Sequence, residues 1–254
     1  MRSISATCAV LLLSACSSTS PQRIAAIDRA LADAPGEAQP SVVIATEIAA
    51  ARSAREEGQL AALLDFAAPG AVLHLAGGVV DAQNVLSRAS ASALPARSTT
   101  RAVWMSCDGQ SAVSLGNYAG ADGRWGRYAA AWQRQRGGEY RWTYGVAAPD
   151  PVLTASETRA RPTPDDAQEI VVEGTTMIRG ETGDCLRGAP PPPSAPSEAS
   201  DGGGVSPDNT LVWRWSSGPG AARSLTVSQY STVGWEQVFA MTIGSDGTVS
   251  AIDD

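Results

Sequence analysis

The chain has 254 residues, 43% of them hydrophobic, which is enough for one or two domains with a real core. Its net charge is −7 and all 19 basic residues are arginine, which argues against a protein that binds nucleic acid or anionic lipid headgroups. The lack of lysine excludes Schiff-base catalysis and a phosphate-loop lysine, and a single histidine excludes a multi-histidine metal site. We therefore predict no cofactor and no metal centre.

The N-terminus has the layout of an export signal. Arg2 precedes an apolar run over residues 4–13, and small residues follow this run. A membrane-spanning helix needs about 20 apolar residues, so the run is too short to span a bilayer. Residues 1–15 are therefore predicted to be a signal peptide that is removed.

The motif Leu13-Ser14-Ala15-Cys16 resembles the lipobox of bacterial lipoproteins, whose signal is cut just before a cysteine that carries the lipid. The resemblance implies that Cys16 is lipidated and that residues 16–40 form a lipidated tether with a short helix. Acyl chains such as palmitate would anchor the protein at the periplasmic face of the bacterial envelope. Ser17 after the cysteine, rather than Asp, favours the outer membrane. The alternative is an ordinary signal peptide with an incidental cysteine.

The cysteine count predicts one disulfide. Cys8 leaves with the signal and Cys16 takes the lipid, so Cys107 and Cys185 remain in an oxidising compartment. We expect these two residues to form a bridge. The alternative is two separate buried thiols.

Helices are predicted in the first third of the chain. After a helix in residues 24–31, a second one is expected to begin near Ser41, to break at Gly58 and to continue up to Pro69-Gly70. Its apolar face comprises Ile44, Ile48 and Ala51. Two short strands around Gly77-Gly78 and a short helix follow.

The segment after Pro95 is predicted to be an antiparallel meander of four strands. Tight turns are expected at Asp108-Gly109, in residues 120–123 and at Gly137-Gly138, since glycine allows the positive φ of hairpin turns. Alternation of side chains places Ala102 and Trp104 on one face. By the same rule Tyr140, Trp142 and Tyr144 share a face.

The remainder is predicted to be a linker and a second set of strands. Residues 149–166 have the composition of a linker or surface loop, and residues 165–254 form a β-rich C-terminal extension. Within the extension, the proline-, glycine- and serine-rich residues 188–208 are expected to be a disordered loop, with partner binding as the alternative. Leu211, Trp213 and Trp215 are predicted to share one face, and Phe239, Met241 and Ile243 another.

Residues 41–150 resemble the SnoaL-like branch of the nuclear transport factor two superfamily. The resemblance rests on the order of predicted elements and on the runs "VWMSCDG" and "YAAAWQRQRGGEYRW". It implies an α+β fold in which a curved antiparallel sheet forms a cone packed on N-terminal helices, with the β-rich extension added. Members of the superfamily include isomerases, cyclases, dehydratases and binding proteins, so the fold does not choose the function.

The chemistry of a cone pocket has few candidate residues. His74 is the only imidazole and, facing the cone, would be a general base oriented by Asp65 or Asp81. The alternative is a structural histidine with a satisfied hydrogen bond. The aromatic residues of the meander are either pocket-lining or core residues. They are Trp104, Tyr118, Trp132, Trp142 and Tyr144.

The scarcity of nucleophiles, bases and metal ligands favours a non-catalytic function. We expect a lipid-anchored protein that binds a small apolar ligand or another envelope protein. The alternative is a small-molecule isomerase or dehydratase that uses His74, with Asp65, in the cone pocket.

The lipid anchor can be tested by replacing the cysteine that would carry it. In cells labelled with radioactive palmitate, Cys16→Ala is expected to abolish incorporation and to move the protein from the membrane to the soluble periplasmic fraction. Cys8→Ala is the matched control, because Cys8 lies in the segment that is removed. Absence of label in the parent chain, or fractionation of Cys16→Ala with the membrane, would contradict the anchor.

Overall fold

Two β-sheets and a few helices form an α+β fold. The computed structural model describes residues 38–90, 95–159, 177–185, 188–193 and 201–253. The predicted signal peptide, Cys16, the helix in residues 24–31 and residues 160–166 of the predicted linker lie outside the described residues.

The first sheet is mixed and has seven strands. They are β1 (Ala67–Leu75), β2 (Gly78–Asp81), β3 (Pro95–Met105), β4 (Ser111–Gly120), β5 (Trp125–Arg134), β6 (Tyr140–Pro149) and β7 (Arg179–Thr182). Their order in the sheet is β2-β1-β6-β5-β4-β3-β7. Neighbouring strands are antiparallel except for the pairs β1–β6 and β3–β7, which are parallel. The four strands of the predicted meander, β3 to β6, are adjacent and antiparallel, as expected.

The second sheet is antiparallel and has five strands. They are β8 (Gly202–Val205), β9 (Leu211–Ser217), β10 (Arg223–Ser231), β11 (Gly234–Ile243) and β12 (Val249–Asp253). Their order in the sheet is β12-β11-β10-β9-β8. A short 3-10 turn, Pro219–Ala221, connects β9 and β10.

Strand β8 lies within the segment that composition predicts to be a disordered loop. Its glycines allow the close approach of the neighbouring strand, because a Cβ at Gly202 or Gly204 would clash with the ring of Trp215 or Trp213. The glycines of this low-complexity segment therefore leave room for two indole rings. This part of residues 188–208 is a paired edge strand and not a disordered loop.

In the described part of the chain, four helices accompany the sheets: α1 (Pro40–Glu56), α2 (Gln59–Asp65), α3 (Ala82–Leu86) and α4 (Pro151–Arg159). Gly58, with φ of +102°, separates α1 from α2 at the predicted break. The expected continuation to Pro69-Gly70 is corrected, because β1 already begins at Ala67.

Helix α1 buries a face shifted from the predicted one: Ile44 packs against the core and Ala51 lines the cavity, but Ile48 faces away. Its buried residues are Val43 and Glu47, whereas Ile48 is 49% exposed. Helical spacing of apolar residues shows that a helix forms but not which of its faces is buried. Because α1 carries apolar residues on several faces, its sequence does not identify the buried one.

Helix α4 lies in the segment expected to be a linker. Pro151 occupies its first turn, and the Leu153 N–H donates to Asp150 Oδ1 at 2.9 Å. An acidic residue followed by proline is a helix-start signal, and it outweighs the loop-like composition of the segment.

The first sheet is covered on both faces. Its helix-facing side packs on α1, α2 and α3 through a cluster that includes Val43, Ala71, Leu86, Val103 and Trp132. Its other side packs on the second sheet, where Trp104 stacks on Phe239 with ring centroids 5.2 Å apart. The predicted common face of Phe239, Met241 and Ile243 is confirmed, since all three are buried in this second cluster.

A β-bulge at Thr143 changes which way β6 presents its side chains. Ala131 pairs with Tyr144 whereas the next residue, Trp132, pairs with Trp142, so Thr143 is the extra residue. Trp142 accordingly faces the helices and Tyr144 the second sheet. The prediction that Tyr140, Trp142 and Tyr144 share a face is therefore wrong for Tyr144.

The predicted disulfide between Cys107 and Cys185 is confirmed, with Cα atoms 5.2 Å apart. Cys107 follows β3 and Cys185 follows β7, and these two strands are parallel neighbours. The bridge therefore attaches the start of the C-terminal extension to the edge of the first sheet.

Removal of the bridge is expected to lower the free energy of unfolding. The double variant Cys107→Ala/Cys185→Ala should lose about 4 kcal/mol in urea titrations, since loop closure constrains the unfolded chain. Reduction of the parent protein should give a similar loss, and a reductant should not affect the double variant. Equal urea midpoints for the oxidised and reduced parent would contradict a stabilising bridge.

Candidate functional site

A cavity of about 560 Å³ lies between the helices and the helix-facing side of the first sheet. Helices α1 and α2 contribute one wall, and strands β4, β5 and β6 contribute the other. Most of the side chains that line it are aliphatic or aromatic. They include Ala51, Leu63, Phe66, Tyr128, Ala130 and Trp142.

Glu47 is the charged residue at the buried wall of this cavity. Its side chain points from α1 onto the sheet and is only 7% exposed. The carboxylate accepts hydrogen bonds from Thr100 Oγ1, from Ser114 Oγ at 2.5 Å and from the Tyr128 hydroxyl at 3.1 Å. Three hydroxyls from three adjacent strands therefore hold one carboxyl group.

Two further features keep this hydrogen-bond network in place. The indole Nε1–H of Trp132 donates to Ser114 Oγ at 2.9 Å, which leaves the serine hydroxyl proton free to point at Glu47. Gly116 lies beneath Tyr128, and a Cβ there would clash with the tyrosine ring. The tyrosine can thus lie flat over β4 and reach the carboxyl group.

Burial raises the pKa of Glu47 above its ordinary value of 4.5, and the hydrogen bonds from Ser114, Thr100 and Tyr128 oppose this rise. The pKa of Tyr128 is also raised, first by its own burial and then by the nearby carboxylate. A carboxyl group of this kind holds its proton to higher pH than an exposed one. Its protonated form is a hydrogen-bond donor.

The aromatic candidates divide between the two faces of the first sheet. Tyr118, Trp132 and Trp142 line the cavity, and the indole N–H of Trp142 donates to the Leu63 carbonyl at 3.0 Å. Trp104 and Tyr144 pack instead against the second sheet, with the Tyr144 ring 5.1 Å from that of Trp213. These last two are core residues.

His74 is a buried residue of β1 that borders the cavity but makes its ring contacts elsewhere. Its Nδ1 lies 2.9 Å from the Tyr144 hydroxyl and its Nε2 lies 3.2 Å from Ser217 Oγ. The ring also contacts Trp215 edge-on at 5.2 Å. Both nitrogens are thus used on the side of the second sheet.

The carboxylates expected to orient His74 have other positions. Asp81 Oδ1 caps α3 by accepting from the Asn84 N–H at 2.8 Å. Asp65 is exposed at the end of α2, where its carbonyl accepts from Arg141 at 2.6 Å. The structure therefore does not bring Asp65, Asp81 and His74 together as hydrogen-bonded partners.

Sequence reasoning missed Glu47. The signal for it was present, because Glu47 is the one charged residue in the otherwise apolar or small run of residues 42–51. An isolated acid in such a run is a candidate buried group once the helix face is known.

Among the described residues, no group of three or more His, Cys, Asp or Glu side chains is placed to hold a metal ion. Within the same part of the chain, no helix combines the length and apolar character needed to cross a membrane.

Comparison with known proteins yields only distant structural similarity. No protein-family model and no curated protein sequence matches the chain. A protein from Novosphingobium aromaticivorans, provisionally assigned as an aromatic ring hydroxylase, is 18% identical with a TM-score of 0.31, over 51% of this chain and 96% of that one. A protein from Kribbella flavida is 20% identical with a TM-score of 0.31, over 46% and 94%. At these scores neither similarity carries an argument about fold or activity.

The raised pKa of Glu47 predicts a pH-dependent effect of Glu47→Gln on stability. Below pH 4.5 the carboxyl is protonated in the folded and the unfolded chain, so it contributes no difference. As pH rises above 4.5, the unfolded chain loses the proton first and the parent protein loses stability until the folded-state pKa is passed. The unfolding free energy of Glu47→Gln minus that of the parent should therefore increase with pH in this window.

Urea titrations of both proteins across this pH range measure the difference. Glu56→Gln, which replaces an exposed carboxyl on the same helix, is the matched control. If Glu47→Gln and Glu56→Gln gave the same pH dependence, the buried position of Glu47 would not be its cause.

Proposed function

We propose that this protein binds a small, largely apolar molecule in the cavity and does not transform it. The observation that carries the proposal is one buried carboxyl group, held by three hydroxyls, at the wall of a largely apolar cavity. Ligand sites of proteins typically combine apolar walls with a few placed polar groups in volumes of about 300–1,000 Å³.

The walls indicate the chemistry of the ligand. Leu63, Phe66 and Trp142 offer aliphatic and aromatic contact surface. Glu47 offers one hydrogen bond, which the protonated carboxyl donates to a carbonyl and the ionised form accepts from a hydroxyl. The ligand class that fits best is therefore an uncharged aromatic or alicyclic molecule with one hydroxyl or carbonyl group.

The proposal extends to fold family and location. The element order of residues 41–150 supports a SnoaL-like domain whose first sheet curves into a cone around this cavity. The lipobox motif at Cys16 supports anchoring to the periplasmic face of the envelope, at the outer membrane. In that setting the ligand is a small molecule of the exported space, and a docked envelope protein is the other partner to test.

Ligand capture can be measured by calorimetry with 2-naphthol and naphthalene, two probes that differ by one hydroxyl. The parent protein should bind both saturably and prefer 2-naphthol by about two- to tenfold, the contribution of one hydrogen bond. Glu47→Leu should bind the two probes with equal affinity and should keep the affinity of the parent protein for naphthalene. A parent protein that bound neither probe would contradict the proposal.

Filling the cavity provides an independent test. Ala130 lies between Tyr128 and Trp132 on the cavity wall, so Ala130→Trp should weaken both probes at least tenfold, the effect of about 1.4 kcal/mol. Ala155→Trp places the same ring on the exposed surface of α4 and is the matched control. Loss of binding in both variants would point to a non-specific effect of the added tryptophan.

A proton-transfer enzyme is the second candidate function, and the raised pKa of the buried Glu47 carboxyl favours it. Glu47 would act as the acid and base in place of His74, whose ring nitrogens bond outside the cavity. The reaction class would be isomerisation or dehydration next to a carbonyl group.

Hydrogen–deuterium exchange at the α-carbon of cyclohexanone, followed by NMR, tests this second candidate. If Glu47 is the base, Glu47→Gln should abolish exchange above background and His74→Gln should leave it. The reverse pattern would support His74, and background exchange in the parent would contradict both.

A further inference from the structure

Arg223 is a buried arginine whose guanidinium is incompletely hydrogen-bonded. It lies at the start of β10 and is 9% exposed, and its Nε has no hydrogen-bond partner. In the part of the chain that the structure describes, no carboxylate forms an ion pair with it. A desolvated guanidinium in this position is unfavourable unless an anion compensates it.

Ser217 lies directly beside Arg223. The two residues are register partners on the antiparallel strands β9 and β10, so their side chains share one face. Leu225 and Val227, two and four residues after Arg223, are buried against the first sheet, which identifies this face as the one between the sheets. Ser217 itself is exposed, so the pair lies where this layer opens to solvent.

A chain of three hydrogen-bonding side chains ends at Ser217. Tyr144 OH lies 2.9 Å from His74 Nδ1, and His74 Nε2 lies 3.2 Å from Ser217 Oγ. In one arrangement of protons the tyrosine donates to Nδ1 and the Nε2–H donates to Ser217. The serine hydroxyl proton is then free to donate outward, beside the guanidinium.

This arrangement requires a neutral imidazole. Burial lowers the pKa of His74, and the nearby charge of Arg223 lowers it further, whereas Asp201 acts in the opposite direction. Burial also raises the pKa of Tyr144, so its hydroxyl keeps the proton that it donates. All three side chains thus remain uncharged donors at neutral pH.

We propose that Arg223 and Ser217 bind an oxyanion at the open end of the layer between the sheets, with His74 and Tyr144 as positioning residues. The guanidinium supplies paired N–H donors and the charge, and the serine hydroxyl supplies a further donor. Asp201, whose carboxylate accepts from the Ser217 N–H, places a negative charge nearby. The site therefore favours a monoanion, either the carboxylate of a small organic acid or singly charged phosphate.

Thermal unfolding of the full chain tests the site when sodium acetate or sodium phosphate replaces sodium chloride at constant ionic strength. At least one of the two should raise the melting temperature saturably relative to chloride, and the one that does so identifies the source of the oxyanion. Arg223→Gln should raise the half-saturating concentration by about tenfold or more, as expected for a hydrogen bond to a charged group. Arg52→Gln, at an exposed arginine of α1, should not change it.

Either of two results would overturn the proposal: no saturable effect of either anion, or an unchanged response in Arg223→Gln. If Arg223→Gln does not fold, Ser217→Ala provides the same comparison at an exposed position. It should raise the half-saturating concentration of the anion several-fold. An unchanged response in Ser217→Ala would then be the contradicting result.

The role of His74 has a separate readout, because it is the only histidine in the chain. Nitrogen-15 labelling of histidine in an untagged chain gives the signals of one imidazole and reports its tautomer. With the bound oxyanion we expect a neutral ring with the proton on Nε2. A ring that kept its proton on Nδ1 at saturating anion would overturn the positioning role.

Discussion

The structure depends on a single constraint: the first sheet is covered on both faces, by helices on one side and by the second sheet on the other. A polar side chain on either face is therefore removed from water and must find partners within the protein. Glu47 meets this condition with three hydroxyls and His74 with two. Arg223 meets it only in part, because its Nε has no hydrogen-bond partner, and this distinguishes it from Glu47 and His74.

Backbone irregularities, as much as residue types, determine which aromatic side chains lie on each face of the first sheet. The bulge at Thr143 sends Trp142 into the cavity and Tyr144 towards His74, although these residues are two positions apart. Gly116 similarly lets Tyr128 lie flat and reach Glu47. The extra residue Thr143 and the absence of a side chain at Gly116 thereby place the aromatic groups that both candidate sites use.

The C-terminal extension completes the core and does not behave as an appendage. Strand β7 joins the edge of the first sheet, the disulfide ties it there, and the apolar face of the second sheet covers Trp104 and Tyr144. The Gln229 side chain adds a buried bond to the Met105 carbonyl at 2.9 Å. The extension thus packs directly on strands that also form the cavity wall.

Much of the local structure could be read from the sequence: the meander, the helix break at Gly58 and the pairing of Cys107 with Cys185. Of the five aromatic residues named as pocket candidates, three line the cavity. These features follow from turn chemistry, residue counts and alternation, which act over short distances. Only the tertiary structure decided three further features. They are the buried face of α1 with Glu47 on it, the orientation of Tyr144 towards the second sheet, and the pairing of β8. Periodicity specifies how often a side chain recurs but not which neighbour covers it, and bulges and close glycine–tryptophan contacts exist only once distant strands meet.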